Sequence, residues 1–236
     1  MTSTQIFKLY QYVYNSRKHL LEMLADRGYN IDHLKGYTED EIKTMLNEHY
    51  NGKFNLLPDI GPLDIILEKK NTNTNIISNN SEKEKIYVKY RLEDKFKGNT
   101  SLNAQINEIY ESILTIKDTL IILNISKVLM KVGVKDKSDE EQHLFIIKNY
   151  FVQLFGLENF LLNVSRHQFV PKHRILSKQE ALDFLAKFNI NLKNIPTIKR
   201  DDPQAKYIGL RPKQICEITA ENITSGITTR YRVCTN

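Results

Sequence analysis

The stretch that organises this chain is Asn163-Val-Ser-Arg-His-Gln-Phe-Val-Pro-Lys-His-Arg-Ile-Leu-Ser177. It predicts a strand, a proline turn and a helix start in succession. Proline disfavours helical backbone at the preceding residue, so Val170-Pro171 should be extended. Ser177-Lys-Gln-Glu180 is a capping box, in which a serine hydroxyl and a glutamate carboxylate satisfy N–H groups at a helix start. We therefore expect two units, one largely before this stretch and a smaller one containing it.

The first unit, predicted to span residues 1–156, alternates between helix and strand patterns. Apolar residues in 2–25 follow a helical period, whereas Ile86 to Leu92 alternates between two faces. Thr119 to Ile125 is a continuous apolar run, which is typical of a strand buried on both faces. A capping box at Ser138 predicts a helix that ends at Gly156, and the polar residues 71–84 predict a long loop. This alternation favours an α/β fold.

The second unit, predicted to span residues 157–236, favours an α+β fold. It should begin with a strand over 160–164 and continue with a helix from Ser177 to Phe188, buried through Leu182, Leu185 and Phe188. Asp201-Asp-Pro203 predicts a second, short helix, because aspartate caps helix starts and proline suits the first turn. The chain should end in a hairpin of strands 214–219 and 228–233, joined by a glycine-containing loop.

The bulk composition is that of an ordinary globular protein. The chain has 236 residues, a formal net charge of +6 and two cysteines, Cys216 and Cys234. Two isolated cysteines predict neither a disulfide framework nor a metal site. No apolar leader opens the chain and no apolar run reaches the length of a membrane span, so we expect a cytosolic or nuclear protein without a membrane partner.

A nuclease-type metal site is one candidate for chemistry. Pro58-Asp59, followed by Glu68-Lys-Lys70, imitates the carboxylate pattern of metal-dependent nucleases. Glu68 and Lys70 would share one strand face, and Asp59 could complete a Mg²⁺ site that activates water. The alternative is that Asp59 caps a turn while Glu68 and Lys70 end a solvated strand.

Two histidines flank the proline of the organising stretch. His167 and His173 are too widely spaced to ligate a metal from successive helical turns, and no cysteine or acidic ligand accompanies them. We expect them to form hydrogen bonds within or across a strand. No nucleophilic triad or glycine-rich phosphate loop accompanies them either, and we predict neither a cofactor nor a metal.

A basic strand face is the second candidate. Lys89 and Arg91 share one side of their strand, and Lys95 and Lys97 lie in the following loop. Such a face could follow the phosphate backbone of DNA without reading sequence. The alternative is a solvated outer face of the sheet.

The C-terminal motifs resemble a known family. Asn163 to His173, Ile195-Pro-Thr-Ile198, Asp202-Pro-Gln-Ala-Lys-Tyr-Ile-Gly-Leu210 and the pair Tyr231-Arg232 follow in the order seen in the fifth subunit shared by eukaryotic nuclear RNA polymerases and in its archaeal homologue. Leu57-Pro-Asp-Ile-Gly61 resembles a segment of the jaw domain of the eukaryotic subunit, a domain that the archaeal homologue lacks.

The resemblance implies a non-catalytic polymerase subunit in the nucleus. It implies a nuclease-like α/β jaw domain beside downstream double-stranded DNA, with Lys89, Arg91, Lys95 and Lys97 near that DNA. It also implies an α+β assembly domain, with a mixed sheet and a closing hairpin, docked on the largest subunit among the other subunits. The residues it assigns to partner binding are His167, Val170, Pro171, His173, Asp202, Pro203, Tyr207, Gly209, Leu210, Arg211, Gly226, Tyr231 and Arg232.

Other functions and origins remain open from the residues. A nuclease-type enzyme using Asp59, Glu68 and Lys70 is the first alternative, and a free-standing DNA-binding module is the second. The bias towards Asn, Ile and Lys leans towards a large DNA virus of eukaryotes, for which the location would be the host cytoplasm or the virion.

Overall fold

The computed structural model describes residues 3–51, 60–70, 84–91, 102–124, 150–222 and 226–235. Its backbone contacts divide the chain into two compact units, Met1–Leu162 and Asn163–Asn236. In the described ranges, each unit has one four-stranded sheet. Both sheets combine parallel and antiparallel pairs. The predicted combination of helices and strands is confirmed, as is the mixed sheet predicted for the second unit. No helix in these ranges is both long and apolar enough to cross a bilayer.

The first unit consists of three helices and four strands in its described part. Two short 3₁₀ helices, Asp32–Leu34 and Leu157–Phe160, supplement them. The main elements are α1 (Ser3–Asp26), α2 (Glu39–Asn51), β1 (Ile65–Glu68), β2 (Lys85–Arg91), α3 (Leu102–Ser112), β3 (Thr119–Asn124) and β4 (Phe151–Gly156).

The sheet of the first unit runs in the order β1-β2-β3-β4. β1 and β2 are antiparallel, whereas β3 lies parallel to both of its neighbours. α3 lies between β2 and β3 in sequence, which suits the crossover that a parallel pair requires. Its buried Ile106 and Ile109 pack on Tyr87, Leu120 and Ile122 of the sheet. The continuous apolar run of β3 is buried from Leu120 to Leu123, as expected for an interior strand.

Two expectations near the end of this unit are wrong. Residues 151–156, expected to end a helix, form β4, since short apolar runs fit both periods and pairing with β3 decides between them. The expected strand over 160–164 is replaced by a 3₁₀ helix that buries Leu157 and Phe160. That 3₁₀ helix contacts α1, so the contact boundary lies after Leu162. The Ser138 capping box and residues 71–83 lie outside the described ranges.

A buried ion pair joins the first two strands of this sheet. The Asp64 carboxylate lies 2.7 Å from the Lys89 ammonium, and both side chains are at most 1% exposed. It also accepts the backbone N–H groups of Gly61 at 2.7 Å and Tyr90 at 2.9 Å, and the hydroxyl of Tyr87 at 3.2 Å. A buried charge needs such a full set of partners, because its desolvation would otherwise destabilise the folded protein by several kcal/mol.

Removing the carboxylate should destabilise the protein strongly. Asp64→Ala takes away the buried counter-charge of the Lys89 ammonium, and we expect the free energy of unfolding to fall by about 3–5 kcal/mol. The double variant Asp64→Ala with Lys89→Met should recover part of that loss, because it also removes the buried positive charge. Urea unfolding followed by circular dichroism measures both. A double variant that is no more stable than the single one would contradict this account.

The second unit consists of two helices and four strands in its described part. Two 3₁₀ turns, Val164–Arg166 and Leu192–Asn194, connect them. The main elements are β5 (Lys172–Ile175), α4 (Lys178–Phe188), β6 (Thr197–Lys199), α5 (Pro203–Ile208), β7 (Ile215–Asn222) and β8 (Gly226–Thr235).

The sheet of the second unit runs in the order β5-β7-β8-β6. The predicted hairpin is confirmed as β7 and β8, paired antiparallel from Ile215↔Val233 to Asn222↔Gly226. β6, which the sequence did not predict, pairs parallel to the last residues of β8. β5 pairs antiparallel to β7 and occupies the other edge of the sheet.

Each face of this sheet carries its own apolar cluster. On one face, Leu176, Ile195, Ile215 and Val233 pack with inward residues of α4. On the other, α5 contributes to a cluster whose buried members are Ile198, Ala205, Leu210, Cys216, Ile218 and Cys234. Both cysteines are free and buried. Burial raises the pKa of the Cys234 thiol to about 12 and also raises the pKa of Cys216.

Two expectations for this unit are also wrong. Residues 163–170 form a 3₁₀ turn and bends, and the strand begins only after Pro171. The inward face of α4 is formed by Ala181, Phe184 and Leu185, whereas Leu182 and Phe188 are 61% and 53% exposed. α4 is therefore rotated about its axis relative to the predicted orientation. Phe184 fixes this orientation, because its ring packs on the ring of Tyr231 in β8 at a centroid distance of 4.3 Å.

The predicted capping box of α4 is present. The Ser177 hydroxyl accepts the Glu180 N–H at 3.2 Å, and the Glu180 carboxylate accepts the Ser177 N–H at 2.7 Å. Arg174 reaches the same carboxylate at 2.7 Å. These contacts lower the pKa of Glu180 to about 2, and the hydrogen bond from the Ser177 backbone N–H has the largest effect.

The cap should make stability depend on pH. Since the pKa of Glu180 is lower in the folded state than the usual 4.5, its contribution is complete above that value and is lost as the pH falls through about 2. We therefore expect the gap in melting temperature between the wild type and Glu180→Gln to narrow as the pH falls from 4.5 to 2. Circular dichroism melts at stepped pH measure the gap. A constant gap across this range would rule out the carboxylate as its source.

Candidate functional site

The organising stretch is held against α5. The side-chain amide of Asn163 donates to the Tyr207 hydroxyl at 3.3 Å, and the Ser165 hydroxyl donates to the Gln204 side chain at 3.2 Å. Both partners belong to α5, which also contacts β5. The irregular segment therefore has defined anchors although it forms no strand.

The two histidines hold the turn around the proline. The Nδ1 atom of His167 accepts the Phe169 N–H at 3.3 Å, and the two rings lie 5.4 Å apart. The Nδ1 atom of His173 lies 2.8 Å from the Pro171 carbonyl oxygen, so it is the protonated nitrogen that donates. Val170 and Pro171 between them are half-buried. In the described ranges, no group of three or more His, Cys, Asp or Glu residues could hold a metal.

Sequence reasoning missed the most exposed apolar side chains of this segment. Phe169 is 80% exposed and Val164 is 59% exposed. Single exposed apolar residues are common, but two on one anchored segment suit a surface that contacts another protein.

Three of the expected partner residues form the start and the end of α5. The Asp202 carboxylate accepts the N–H groups of Gln204 at 2.9 Å and Ala205 at 3.2 Å, and Pro203 occupies the first turn. Gly209 ends the helix with a φ of 71°, a left-handed conformation that favours glycine.

Leu210 follows that glycine and is only 1% exposed, so its side chain serves the core rather than a partner. Tyr207 and Arg211 are half-buried and retain surface from which to reach a partner.

The hairpin residues divide between the two faces of the sheet. Tyr231 lies on the α4 face, where its hydroxyl donates to Glu217 at 3.0 Å. Glu217 in turn binds Arg174 at 2.8 Å. Arg232 lies on the other face and donates to the Thr197 carbonyl at 3.0 Å. Gly226 begins β8 with a φ of 67°.

The structure therefore does not bring the expected partner residues onto one surface. The segment from His167 to His173 and residues Tyr207 and Arg211 lie around α5 and β5. Tyr231 lies across the sheet beside α4.

The net positive charge is concentrated in the second unit. Asn163–Asn236 contains 13 lysines and arginines against 6 aspartates and glutamates, a net charge of +7. The whole chain carries +6, so the first unit is close to neutral. A local excess of one sign favours partners of the opposite sign and speeds their association.

The basic face expected on β2 is absent. Lys89 is 1% exposed and Arg91 is 7% exposed, and Tyr87 beside them is fully buried. Both faces of β2 are covered, because β2 is an interior strand between β1 and β3, with α3 packed on it. Asp64 supplies the counter-charge for Lys89. Lys95 and Lys97 lie outside the described residues and stay a prediction.

The nuclease candidate is not assembled by the described residues. Asp59 lies outside them. Glu68 ends β1 on the exposed side, and the Lys70 ammonium lies 3.6 Å from a carboxylate oxygen of Asp32. The carboxylate that meets a lysine inside the unit is Asp64, whose oxygens already accept four donors. A Mg²⁺ ion would have to displace them, so this arrangement acts as a structural ion pair.

Comparison with known proteins identifies the second unit. The family model described as RNA polymerase Rpb5, C-terminal domain, matches residues 162–234. The DNA-directed RNA polymerase subunit Rpo5 of Archaeoglobus fulgidus is 45% identical over 67 residues, which cover 28% of this chain and 88% of that protein.

Two eukaryotic proteins are also similar. The DNA-directed RNA polymerases I, II, and III subunit rpabc1 of Dictyostelium discoideum is 33% identical over 87 residues, or 37% of this chain and 44% of that relative. The chain thus matches less than half the length of that protein. The DNA-directed RNA polymerases IV and V subunit 5B of Arabidopsis thaliana is 24% identical over 219 residues, or 93% of this chain and 88% of that protein.

The archaeal match covers almost a whole protein at high identity, and the plant match extends over both units. Subunits of this kind are accessory rather than catalytic. This chain belongs to the Rpb5 family of RNA polymerase subunits.

Proposed function

We propose that this chain is a non-catalytic subunit of a multisubunit DNA-directed RNA polymerase, and that its second unit docks on the largest subunit. The observation that carries the proposal is the coincidence of the family match, residues 162–234, with the compact unit Asn163–Asn236. The region that matches the family model is therefore a folded unit with its own sheet and two apolar clusters.

The docking surface includes the organising stretch and the neighbouring side of α5. Phe169 and Val164 supply exposed apolar area, and Tyr207 and Arg211 supply polar groups beside it. Aromatic and arginine side chains are common anchors of protein interfaces. His167 and His173 hold the turn that presents Phe169, and Asp202 and Gly209 hold α5.

The first unit is the jaw domain of the complex and lies near the entering downstream double-stranded DNA. This part of the proposal rests on the likeness of Leu57-Pro-Asp-Ile-Gly61 to the family's jaw segment, and the nuclease-like architecture implied by that likeness goes with it. The nucleus is the location that follows for a eukaryotic subunit. A viral origin, with the host cytoplasm or the virion as the location, stays a prediction, as do direct contacts of the jaw with DNA.

Isolation from the native cell tests the assembly. We expect the tagged full-length chain to copurify with the largest subunit of a DNA-directed RNA polymerase, as identified by mass spectrometry. Phe169→Ala should reduce the recovered polymerase about fivefold to thirtyfold, because truncating an aromatic anchor weakens binding by about 1–2 kcal/mol.

Ile116→Ala is the matched control for that variant. Ile116 is 56% exposed and belongs to the first unit, so its truncation should leave recovery unchanged. Equal recovery of both variants and the wild type would remove Phe169 from the interface. A wild-type chain that recovers no polymerase, yet binds or cleaves DNA by itself, would favour the module or nuclease alternatives.

The jaw proposal has a separate test in the assembled polymerase. Charge reversal at Lys95 and Lys97 should weaken retention of downstream DNA and make that retention less dependent on salt, since each lost phosphate contact lowers the salt slope by about one. Filter retention of DNA at several salt concentrations measures the slope. An unchanged slope would exclude these two lysines as DNA contacts.

A further inference from the structure

The backbone of β8 has one side that is only partly used. Cys234 donates its N–H to Gln214 and accepts from Lys213, so even-numbered residues of β8 point their backbone groups towards β7. Val233 donates to the Pro196 carbonyl, and Thr235 accepts from Arg200, so odd-numbered residues point the other way. In an antiparallel pair, both backbone groups of one residue face the same neighbour, and successive residues alternate.

The open side of β8 continues beyond the end of β6. β6 pairs only with residues 233–235 of β8, because Pro196 and the buried Ile195 lead the chain away. Ile227, Thr229 and Tyr231 therefore direct their N–H and C=O groups to a side where the described residues place no strand. Ile227 is 72% exposed, and Thr229 is exposed as well.

An unpaired edge of this length is a template for another strand. Exposed edge strands attract extended segments, which add main-chain hydrogen bonds and become a further strand of the sheet. The sequence Ile227-Thr-Thr-Arg-Tyr231 is rich in β-branched and aromatic residues, which suit pairing. Three outward-facing residues accommodate an added segment of about five to six residues.

The positive charge beside this edge favours an acidic segment as the added strand. Arg230 and Arg232 lie on the same face of the hairpin, opposite Ile218 and Cys216 of β7. Among the described residues, no acidic side chain pairs with the exposed Arg230, and the unit as a whole carries +7. A strand added beside β8 would place its own side chains next to these two arginines, where carboxylates are favoured.

We propose that the β8 edge from Ile227 to Tyr231 binds an extended, acidic segment of another polymerase subunit as a fifth strand of the sheet. This inference rests on the proposed function for the identity of the partner as a subunit of the same enzyme. It assigns a second contact, distinct from the segment around Phe169. A second copy of this chain is disfavoured as the occupant, because self-pairing of β8 would bring like-charged arginines together.

Hydrogen–deuterium exchange on the wild-type chain tests the edge directly. In the free chain, the amides of Ile227, Thr229 and Tyr231 should exchange fast, whereas those of Thr228 and Arg230, which point towards β7, should be protected. In the purified polymerase, the three odd-numbered amides should exchange at least about tenfold more slowly, as expected for newly formed backbone hydrogen bonds. Unchanged exchange at all three in a complex that retains the chain would overturn the proposal.

Proline substitution in β8 is a second test of the proposed strand addition. Thr229→Pro removes an N–H that points away from β7, so the hairpin pairing is preserved and only the added strand loses a donor. We expect recovery of polymerase to fall about tenfold relative to Thr229→Val, which also lacks the hydroxyl but keeps the N–H. Equal recovery of the two variants, with circular dichroism showing that both are folded, would overturn the proposal. If Thr229→Pro does not fold, hydrogen–deuterium exchange on the wild-type chain decides the question.

Charge reversal at Arg230 tests whether the bound segment is acidic. Arg230→Glu should reduce recovery and flatten its dependence on salt, whereas Lys178→Glu, the same charge change in the first turn of α4, should not. Protection of the odd-numbered amides that grows with the concentration of the free chain would identify a second copy as the occupant and overturn the acidic-segment proposal. Failure of the wild-type chain to copurify with any polymerase would instead refute the proposed function.

Discussion

The pairing of β7 with β8 is the constraint on which the second unit depends. The hairpin is antiparallel from Ile215↔Val233 to Asn222↔Gly226, and its alternation assigns each side chain to one of two apolar clusters. A slip of one residue would exchange the two faces, moving Val233 and Ile215 away from α4. Because α4 and α5 cover opposite faces, each helix independently opposes such a slip. β5 and β6 then take their places from opposite edges of this pair.

Local signals in the sequence predicted local structure well. The capping box Ser177–Glu180 and the Asp202 cap with Pro203 depend on residues two or three positions apart, and both are present. The interior strand β3 was recognised from its continuous apolar run. Four of the matched C-terminal residues proved to shape α5 and its packing, which explains why that motif is so distinctive: a tight helix has few alternatives for its cap, first turn and end.

The predictions that are wrong concern residues whose positions depend on contacts with distant parts of the chain. Lys89 is predicted on a solvated face, but it is buried beside its counter-charge Asp64, which lies 25 residues earlier. β4 was expected to be helical because its apolar residues fit both periods, and the register with β3 decided the outcome. The orientation of α4 depends on the ring of Tyr231, which follows Phe184 by 47 positions. None of these partners is visible in a short window of sequence, and the basic face predicted at Lys89 and Arg91 is wrong for the same reason.

The two buried cysteines have a practical consequence for the study of this protein. Thiol reagents attack the thiolate, and burial raises the pKa of both Cys216 and Cys234, so both are poor targets for alkylation in the folded chain. A cysteine introduced at an exposed position should therefore be labelled selectively while both native cysteines remain in place. Fluorophores or spin labels could then report on the surfaces of either unit without a cysteine-free background, whose two substitutions would leave cavities in the α5 cluster.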